Sequence, residues 1–399
     1  MDLRYTPEEE QFRKEVRAFF RTAIPADIQS KTVLGQRLSR EDLVRWTHIL
    51  NQKGWATPNW PVEWGGTGWS PICQYIFHEE LAMVPVPEAL VFNTNMIGPL
   101  LIAFGTNEQK RHFLPRIATL EYWFCQGFSE PDAGSDLASL RTRAVRDGED
   151  YVISGQKIWT TLAHHADWCF LLARTDPQAK KQRGISMFLM DMTSPGVMVK
   201  PIVTIDGCHE LNETFLDDVR IPTANLIGEE NKGWDYAKYL LGHERSAQSR
   251  VGLSKMRLRR AKQLAAGVRS GGRTLAEDPH FRERVAGIEV ELKALELLTQ
   301  RVIAQGPANT DGASDPKASI LKLKGVALQQ EATEILMEVA GYEAMEYDGS
   351  FLRGESEPAG GEDWALTIAP NHYYARHVSI AAGSNEVQRN IIARSVLGL

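Results

Sequence analysis

The stretch Phe128-Ser-Glu-Pro-Asp-Ala-Gly-Ser-Asp-Leu137 and the later Gln156-Lys-Ile-Trp-Thr-Thr161 decide how the rest of this chain is read. The first crowds Ser, Pro, Gly and short carboxylates into one turn, so it can present backbone N–H groups and hydroxyls to a polar ligand. The second reads as a strand. Between them, residues 141–145 and 151–153 flank Asp147-Gly148, a dipeptide that tolerates positive φ and signals a hairpin. That hairpin would bring a hydroxyl-bearing loop beside Trp159, Thr160 and Thr161, an arrangement suited to a large flat ring that needs stacking and edge hydrogen bonds. Alone, a Trp-Thr-Thr strand only packs a sheet. The two segments in this order point to a ligand.

The chain has 399 residues, 43% hydrophobic and 24% charged, which allows two or three packed units with real cores and excludes fibrous and disordered classes. A net charge of −6 argues against nucleic acid as a main partner. Residues 255–260, Lys-Met-Arg-Leu-Arg-Arg, read as a solvated helix face, with contact to an anionic ligand or subunit as the sharper alternative. Cys73, Cys125, Cys169 and Cys208 lack metal-ligand or redox spacing, so no metal is expected and a reducing cytoplasm fits. No run approaches the ~18 apolar residues of a membrane span. The N-terminus is too charged for a secretory signal, and the fold is expected to begin at residue 1. Thr6-Pro7-Glu8-Glu9 reads as a capped helix start, followed by Phe12, Val16, Phe19 and Phe20 on one face.

From residue 1 to about 120 the pattern is helical, interrupted by Trp60-Pro-Val-Glu-Trp-Gly-Gly-Thr-Gly-Trp69, whose aromatics pin a turn to the core. Between 121 and 230 short runs bounded by turns, at 123–128, 151–153, 158–161, 167–174, 185–191 and 213–216, predict a small antiparallel β-domain. After Gly233 long helices return. Val285, Ile288, Leu292 and Leu295 alternate spacings of three and four, as a bundle requires, and Ala332, Ile335 and Val339 repeat the pattern.

The two opening segments, with Phe215-Leu-Asp-Asp-Val-Arg-Ile-Pro222, Gly233-Trp234 and Gly383-Ser-Asn-Glu-Val-Gln-Arg-Asn390 in the same order, resemble the acyl-CoA dehydrogenase family across nearly the whole chain. Within it the sequence looks closest to bacterial members resembling the large subunit of pimeloyl-CoA dehydrogenase. The resemblance implies an α+β fold: an N-terminal helical domain over 1–121, a middle antiparallel β-domain over 122–230 and a C-terminal four-helix bundle over 231–399. It implies FAD between the last two, an acyl-CoA substrate and a flavoprotein electron acceptor. Residues 349–370 depart from the family as a polar insertion, either functional or a solvent-exposed elaboration.

The implied reaction removes a proton from the carbon α to a thioester carbonyl while hydride leaves the β-carbon, and it needs one base. The family most often carries a Glu immediately before Gly-Thr or Gly-Ser near the C-terminus; here that position is Ala382. Glu244 is the candidate instead. It continues the stripe Trp234, Ala237, Leu241, and the family alternative is a Glu followed by Arg, as in His243-Glu244-Arg245. The plainer reading gives Glu244 an intrahelical ion pair with Lys238 or Arg250; Glu386 is a rival base. By the resemblance, Gln126, Phe128, Ser129, Trp159, Thr160, Thr161, Ser384, Asn385 and Glu386 contact the flavin, and Ser135, His243 and Arg245 the substrate. Two motifs that complete a neighbour's FAD site are altered, at Arg273 and at Val339-Ala-Gly-Tyr342. Three readings stay open: a dehydrogenase forming a trans-2-enoyl-CoA in lipid β-oxidation, a non-catalytic or half-active subunit of a heteromer, and an oxidase or monooxygenase on the same fold. A homotetramer and a heterotetramer both remain possible.

Overall fold

The computed structural model describes residues 4–247, 249–304, 316–356 and 363–399, without the side chains of 241–247 and 270. Helix α1 (Pro7–Ala23) starts at the expected box: the Thr6 N–H donates to Glu9 Oε2 at 2.8 Å and the Glu9 N–H to Thr6 Oγ1 at 3.2 Å. It packs Val16 and Phe20 against Trp46 of α3 (Arg40–Gln52) and Phe77 of α4 (Pro71–Met83); α2 (Ala26–Leu34), α5 (Gly98–Phe104) and α6 (Asn107–Ala118) complete this helical layer. The Trp60–Trp69 loop is pinned as expected. Trp60 is buried and donates from its indole to Thr94 O at 2.7 Å, and Trp69 packs edge-on against Phe12 and Trp55.

The central sheet contains β1 (Phe124–Gly127), β2 (Arg143–Asp147), β3 (Asp150–Lys157), β4 (Trp168–Arg174), β5 (Ile185–Asp191), β6 (Val197–Val203) and β7 (His209–Pro222). The path runs β1-β4-β2-β3-β7-β6, with β5 on the other pairing of β4. The Asp147-Gly148 hairpin forms as predicted, pairing Asp147 with Asp150. Two differences stand out. The sheet is mixed, because β1 and β2 both run parallel to β4. Strand β6 is additional: Lys200-Pro201 interrupts its alternation, and an edge strand tolerates a residue without an N–H. By contrast β4 and β5 are apolar on both faces, the signature of strands covered on both sides.

Helices α7 (Gly233–Ala247), α8 (Val251–Ala265), α9 (Pro279–Ala304) and α10 (Pro316–Ala340) follow, with a hairpin of β8 (Arg269–Ser270) and β9 (Arg273–Thr274) before α9. The predicted bundle positions Val285, Ile288, Leu292, Leu295, Ala332, Ile335 and Val339 are all buried. Helix α10 is the hub, packing on α8, α9, α12 (Ile368–Tyr374) and α13 (Asn385–Ile392). The basic run at 255–260 is less solvated than expected. Lys255 donates to the buried carboxylates of Glu79 at 2.8 Å and Glu296 at 2.6 Å, so it ties α8 to α4 and α9.

The described parts of the 349–370 segment are docked into the core. Short helix α11 (Gly349–Leu352) buries Phe351 and Leu352, and Ala365 and Leu366 are buried beyond it. Its carbonyls accept from the turn between α2 and α3: Gln36 Nε2 to Phe351 O and the Arg37 N–H to Leu352 O, both at 2.7 Å. Arg37 closes this junction. Its guanidinium donates to Asn371 Oδ1 at 2.7 Å and to Asp206 Oδ2 at 2.5 Å, joining three stretches far apart in sequence. The Asp206 carboxylate is fully buried, so Arg37→Met would strand an unpaired charge. We expect a loss of about 3 kcal/mol in urea unfolding. A loss under about 1 kcal/mol, the scale of an exposed pair, would show that the junction is held by packing alone.

Candidate active site

Strand β1 delivers the chain into the Phe128–Leu137 loop, whose course is set by one buried ion pair. The Glu130 carboxylate accepts from Lys157 Nζ at 2.8 Å and from the N–H groups of Arg141 at 2.6 Å and Thr142 at 2.9 Å. Lys157 Nζ also donates to Phe128 O at 3.2 Å, and the Ile158 N–H to Ser129 O at 2.9 Å. Burial pushes the Glu130 carboxyl up, but the ammonium and the donated hydrogen bonds outweigh it and hold the group below the usual carboxylate range. The loop is therefore welded to the end of β3. Neither partner stood among the expected site residues. The signal was there for Lys157, since the buried positions of β3 are Tyr151, Ile153 and Lys157, all of one alternating set.

Residues 158–161 leave the sheet, contrary to the expected strand. Trp159 (φ 61) and Leu162 (φ 55) both take left-handed backbone, which an L-residue adopts only when its surroundings over-determine it. Asn212 of β7 supplies that constraint. Its carbonyl accepts the Thr160 N–H and its Nδ2 donates to Thr160 O, each at 2.9 Å, while the Leu162 N–H donates to Glu210 O at 2.8 Å. The turn holds the Trp159 indole 54% exposed and drives Thr160 inward, where its hydroxyl accepts from Thr214 at 3.3 Å. Within this turn the Trp159 side chain is exposed and Thr161 half-buried, while the Thr160 side chain is buried.

The remaining expected residues divide. Phe128 is core, packing edge-on against Phe170 at 5.7 Å, and offers a ligand only backbone; Gln126 and Ser129 are half-buried beside it, and Ser135 is exposed at the loop tip. Ser384 caps α13 by accepting the Val387 N–H at 3.4 Å. Asn385 carries a buried Oδ1 with no partner among the described residues, an orphan acceptor that a bound flavin edge would satisfy. Together with the outward indole it is the observation on which FAD fits these residues. Glu386 is exposed, ion-paired with Arg389 at 3.5 Å, and its carboxyl is lowered by backbone hydrogen bonding and by Ser384, the opposite of what a base needs. Residue 382 is an Ala at φ 54. His243, Glu244 and Arg245 lie on α7, and their side chains fall outside the described residues. Among the described residues, Lys238 pairs with Asp235 at 2.9 Å and Arg250 with Glu88 at 3.0 Å.

A histidine cluster lies behind the Trp159 turn, beside a cleft of about 340 Å³ lined in part by Met192, Val199 and Pro201. The His164 and His209 rings stack at 3.9 Å, Asn212 Oδ1 meets His209 Nε2 at 2.7 Å, and Asn212 Nδ2 meets His164 Nδ1 at 3.2 Å. Because Nδ2 can only donate, His164 Nδ1 must be unprotonated. Burial, then His165 and His209, push the His164 pKa down to about 4; burial and Arg40 lower His165 as well. The fold thus favours neutral imidazole, a contribution fully present above the unfolded value of about 6.5 and lost as pH falls towards 4. We expect part of the acid destabilisation between pH 6.5 and 4 to vanish in His164→Leu, measured by urea unfolding across that range. An unchanged pH slope in the variant would show that His164 plays no part in it.

Three family models cover the chain in order: the acyl-CoA dehydrogenase N-terminal domain over residues 6–121, the middle domain over 125–219 and the C-terminal domain over 231–397. The sequence is 36% identical to acyl-CoA dehydrogenase FadE26 of Mycobacterium tuberculosis, covering 100% of this chain and 99% of that protein. The structure resembles the ChsE4-ChsE5 complex from Mycobacterium tuberculosis, with a TM-score of 0.83, 35% identity and coverage of 100% and 99%. It also resembles the Tcur3481-Tcur3483 steroid ACAD, with a TM-score of 0.84, 32% identity and the same coverage. The expected likeness to the pimeloyl-CoA dehydrogenase large subunit finds no specific support in these relatives. On the fold, the loop and turn geometry and the match of all three domains, the chain belongs to the acyl-CoA dehydrogenase family of FAD-dependent oxidoreductases.

Proposed function

We propose that this chain desaturates a bulky, ring-bearing acyl-CoA between its α- and β-carbons, with Glu244 as the proton acceptor, and that electrons leave to a flavoprotein acceptor. The observation that carries the reading is the Trp159 turn, an indole held 54% exposed on left-handed backbone beside the welded 128–137 loop. When bound, FAD supplies the hydride acceptor. Trp159 and Thr161 would hold its ring from the sheet side, and Ser384, Asn385 and Glu386 from the tail. Gln126 and the backbone of Phe128 and Ser129 line the loop between them, and Ser135, His243 and Arg245 are assigned to the acyl-CoA.

Ala382 cannot accept a proton, so the base must come from elsewhere, and helix register puts position 244 in line with buried Ala237 and Leu240. A carboxylate serves as this base if burial raises its pKa towards neutrality, since desolvation disfavours the charged form. A ring-bearing acyl group is supported by the steroid dehydrogenase among the similar structures.

A second reading, a half-active or non-catalytic subunit of a heteromer, is favoured by particular surface residues. Tyr342, Met345 and Ile380 are 89%, 79% and 70% exposed, apolar surface that suits a partner subunit. Arg273 is spent locally on Asp278 at 3.1 Å. The similar ChsE4-ChsE5 structure is a complex of two chains. We favour a heteromer with a second chain of this family over a homotetramer, in the cytoplasm, where the four free cysteines fit. Among the described residues no helix is long and apolar enough to cross a membrane and no His, Cys, Asp and Glu group is arranged to hold a metal.

The test is anaerobic titration of the yellow protein, alone and co-expressed with a related chain, using steroid-type and straight-chain acyl-CoAs. Glu244→Gln should keep FAD while flavin reduction slows by ~10² or more, the scale of general-base catalysis. Reduction of that variant at the wild-type rate would move the base to the partner chain.

A further inference from the structure

A buried cation outside the residues assigned above holds the loop before α13. Lys322, on the hub helix α10, has no exposed surface. Its Nζ donates to the carbonyls of three successive residues: Ala381 at 2.5 Å, Ala382 at 3.1 Å and Gly383. These carbonyls converge because Ala382 (φ 54) and Gly383 (φ 86) are both left-handed, a conformation an alanine keeps only when held. One turn earlier on α10, Ser319 Oγ donates to Gln388 Oε1 at 2.8 Å, and Gln388 Nε2 donates to Gly383 O at 3.2 Å. A side chain at Gly383 would put its Cβ 2.6 Å from Gln388 Nε2. Helix α10 thus grips the loop from one side and the first turn of α13 from the other.

We propose that Lys322 is a positioning residue: by cradling the 381–383 carbonyls it sets the angle at which Ser384 and Asn385 meet the flavin, an inference that rests on the flavin reading above. The chemistry supports a latch rather than general packing. Charge-assisted bonds from one ammonium to successive carbonyls fix peptide planes, which an apolar side chain of equal size cannot do. Two residues on, Asn385 presents a buried Oδ1 that has no partner among the described residues. The latch does not depend on a carboxylate at position 382, so it persists in a chain whose base has moved to another helix.

The test compares Lys322→Met, Lys322→Arg and Gly383→Ala in the full chain, in its hetero-assembly if one forms. FAD affinity of the apoprotein and hydrogen exchange of residues 381–386 are the readouts. Lys322→Met should weaken FAD by about tenfold or more, the effect of one lost charge-assisted bond, and speed exchange at 381–386 beyond that of the α10 core. Lys322→Arg should restore both. If Lys322→Met fails to fold, Gly383→Ala decides, because it disturbs the cradle while keeping the ammonium in place, and the same FAD loss is expected. FAD affinity and exchange matching wild type in Lys322→Met or Gly383→Ala would overturn the proposal, as would equal defects in Lys322→Met and Lys322→Arg. If the wild-type chain binds no FAD, the flavin reading fails, while exchange in the apoprotein still reports on the latch.

Discussion

The buried Glu130–Lys157 ion pair is the constraint on which the site depends. Both side chains are almost wholly removed from water, and a pair in that position persists only if its remaining hydrogen-bonding capacity is filled. The backbone of the 128–142 loop fills it, through the N–H groups of Arg141 and Thr142 and the carbonyl of Phe128. The loop has little freedom to take another path without leaving a buried charge unsatisfied. In fixing the loop the pair also fixes the point at which β3 ends, and hence where the chain must turn to expose Trp159. The loop and the exposed indole are thereby given the rigidity of a sheet.

The same device recurs at the other edges of the site. Asn212 of β7 braces the Trp159 turn, Arg37 locks the 204–208 loop to the first helical layer, and Lys322 grips the tail. Each is a polar group with multiple bonds to backbone or to a buried carboxylate, placed where irregular chain must be held still. Such groups are costly to bury and informative when buried, because an apolar residue would stabilise the core equally well but would not specify one conformation. The chain's altered chemistry is consistent with this division of labour. Position 382 carries no carboxylate, yet its loop is still held by Lys322.

How much of this is legible in the sequence depends on which interactions are local. The Thr6 capping box, the Asp147-Gly148 hairpin and the three-and-four spacing of Val285, Ile288, Leu292 and Leu295 are set by neighbours within a turn or two, and each forms as read. The 158–161 segment reads as strand because the β-propensity of Trp-Thr-Thr is a local signal, whereas the left-handed Trp159 is imposed by Asn212, far along the chain. Strand β6 is hidden by Lys200-Pro201, and its pairing with β7 is not written in its own alternation. The 349–370 segment looks polar because Phe351, Leu352, Ala365 and Leu366 are scattered among Gly, Glu and Ser. Phe351 and Leu352 are received by the α2–α3 turn, and Ala365 by the bundle core, both set by distant parts of the chain.

The most direct measurement is the FAD dissociation constant of Glu130→Gln, Lys157→Met and the double variant, taken with the emission of Trp159. If the pair sets the loop, each single change weakens FAD by roughly ten- to a hundredfold, since each leaves a buried charge unpaired. The double variant should then be no weaker than the worse single, because the second change removes the stranded partner. Full FAD affinity and unaltered Trp159 emission in both single variants would contradict the dependence of the site on this pair.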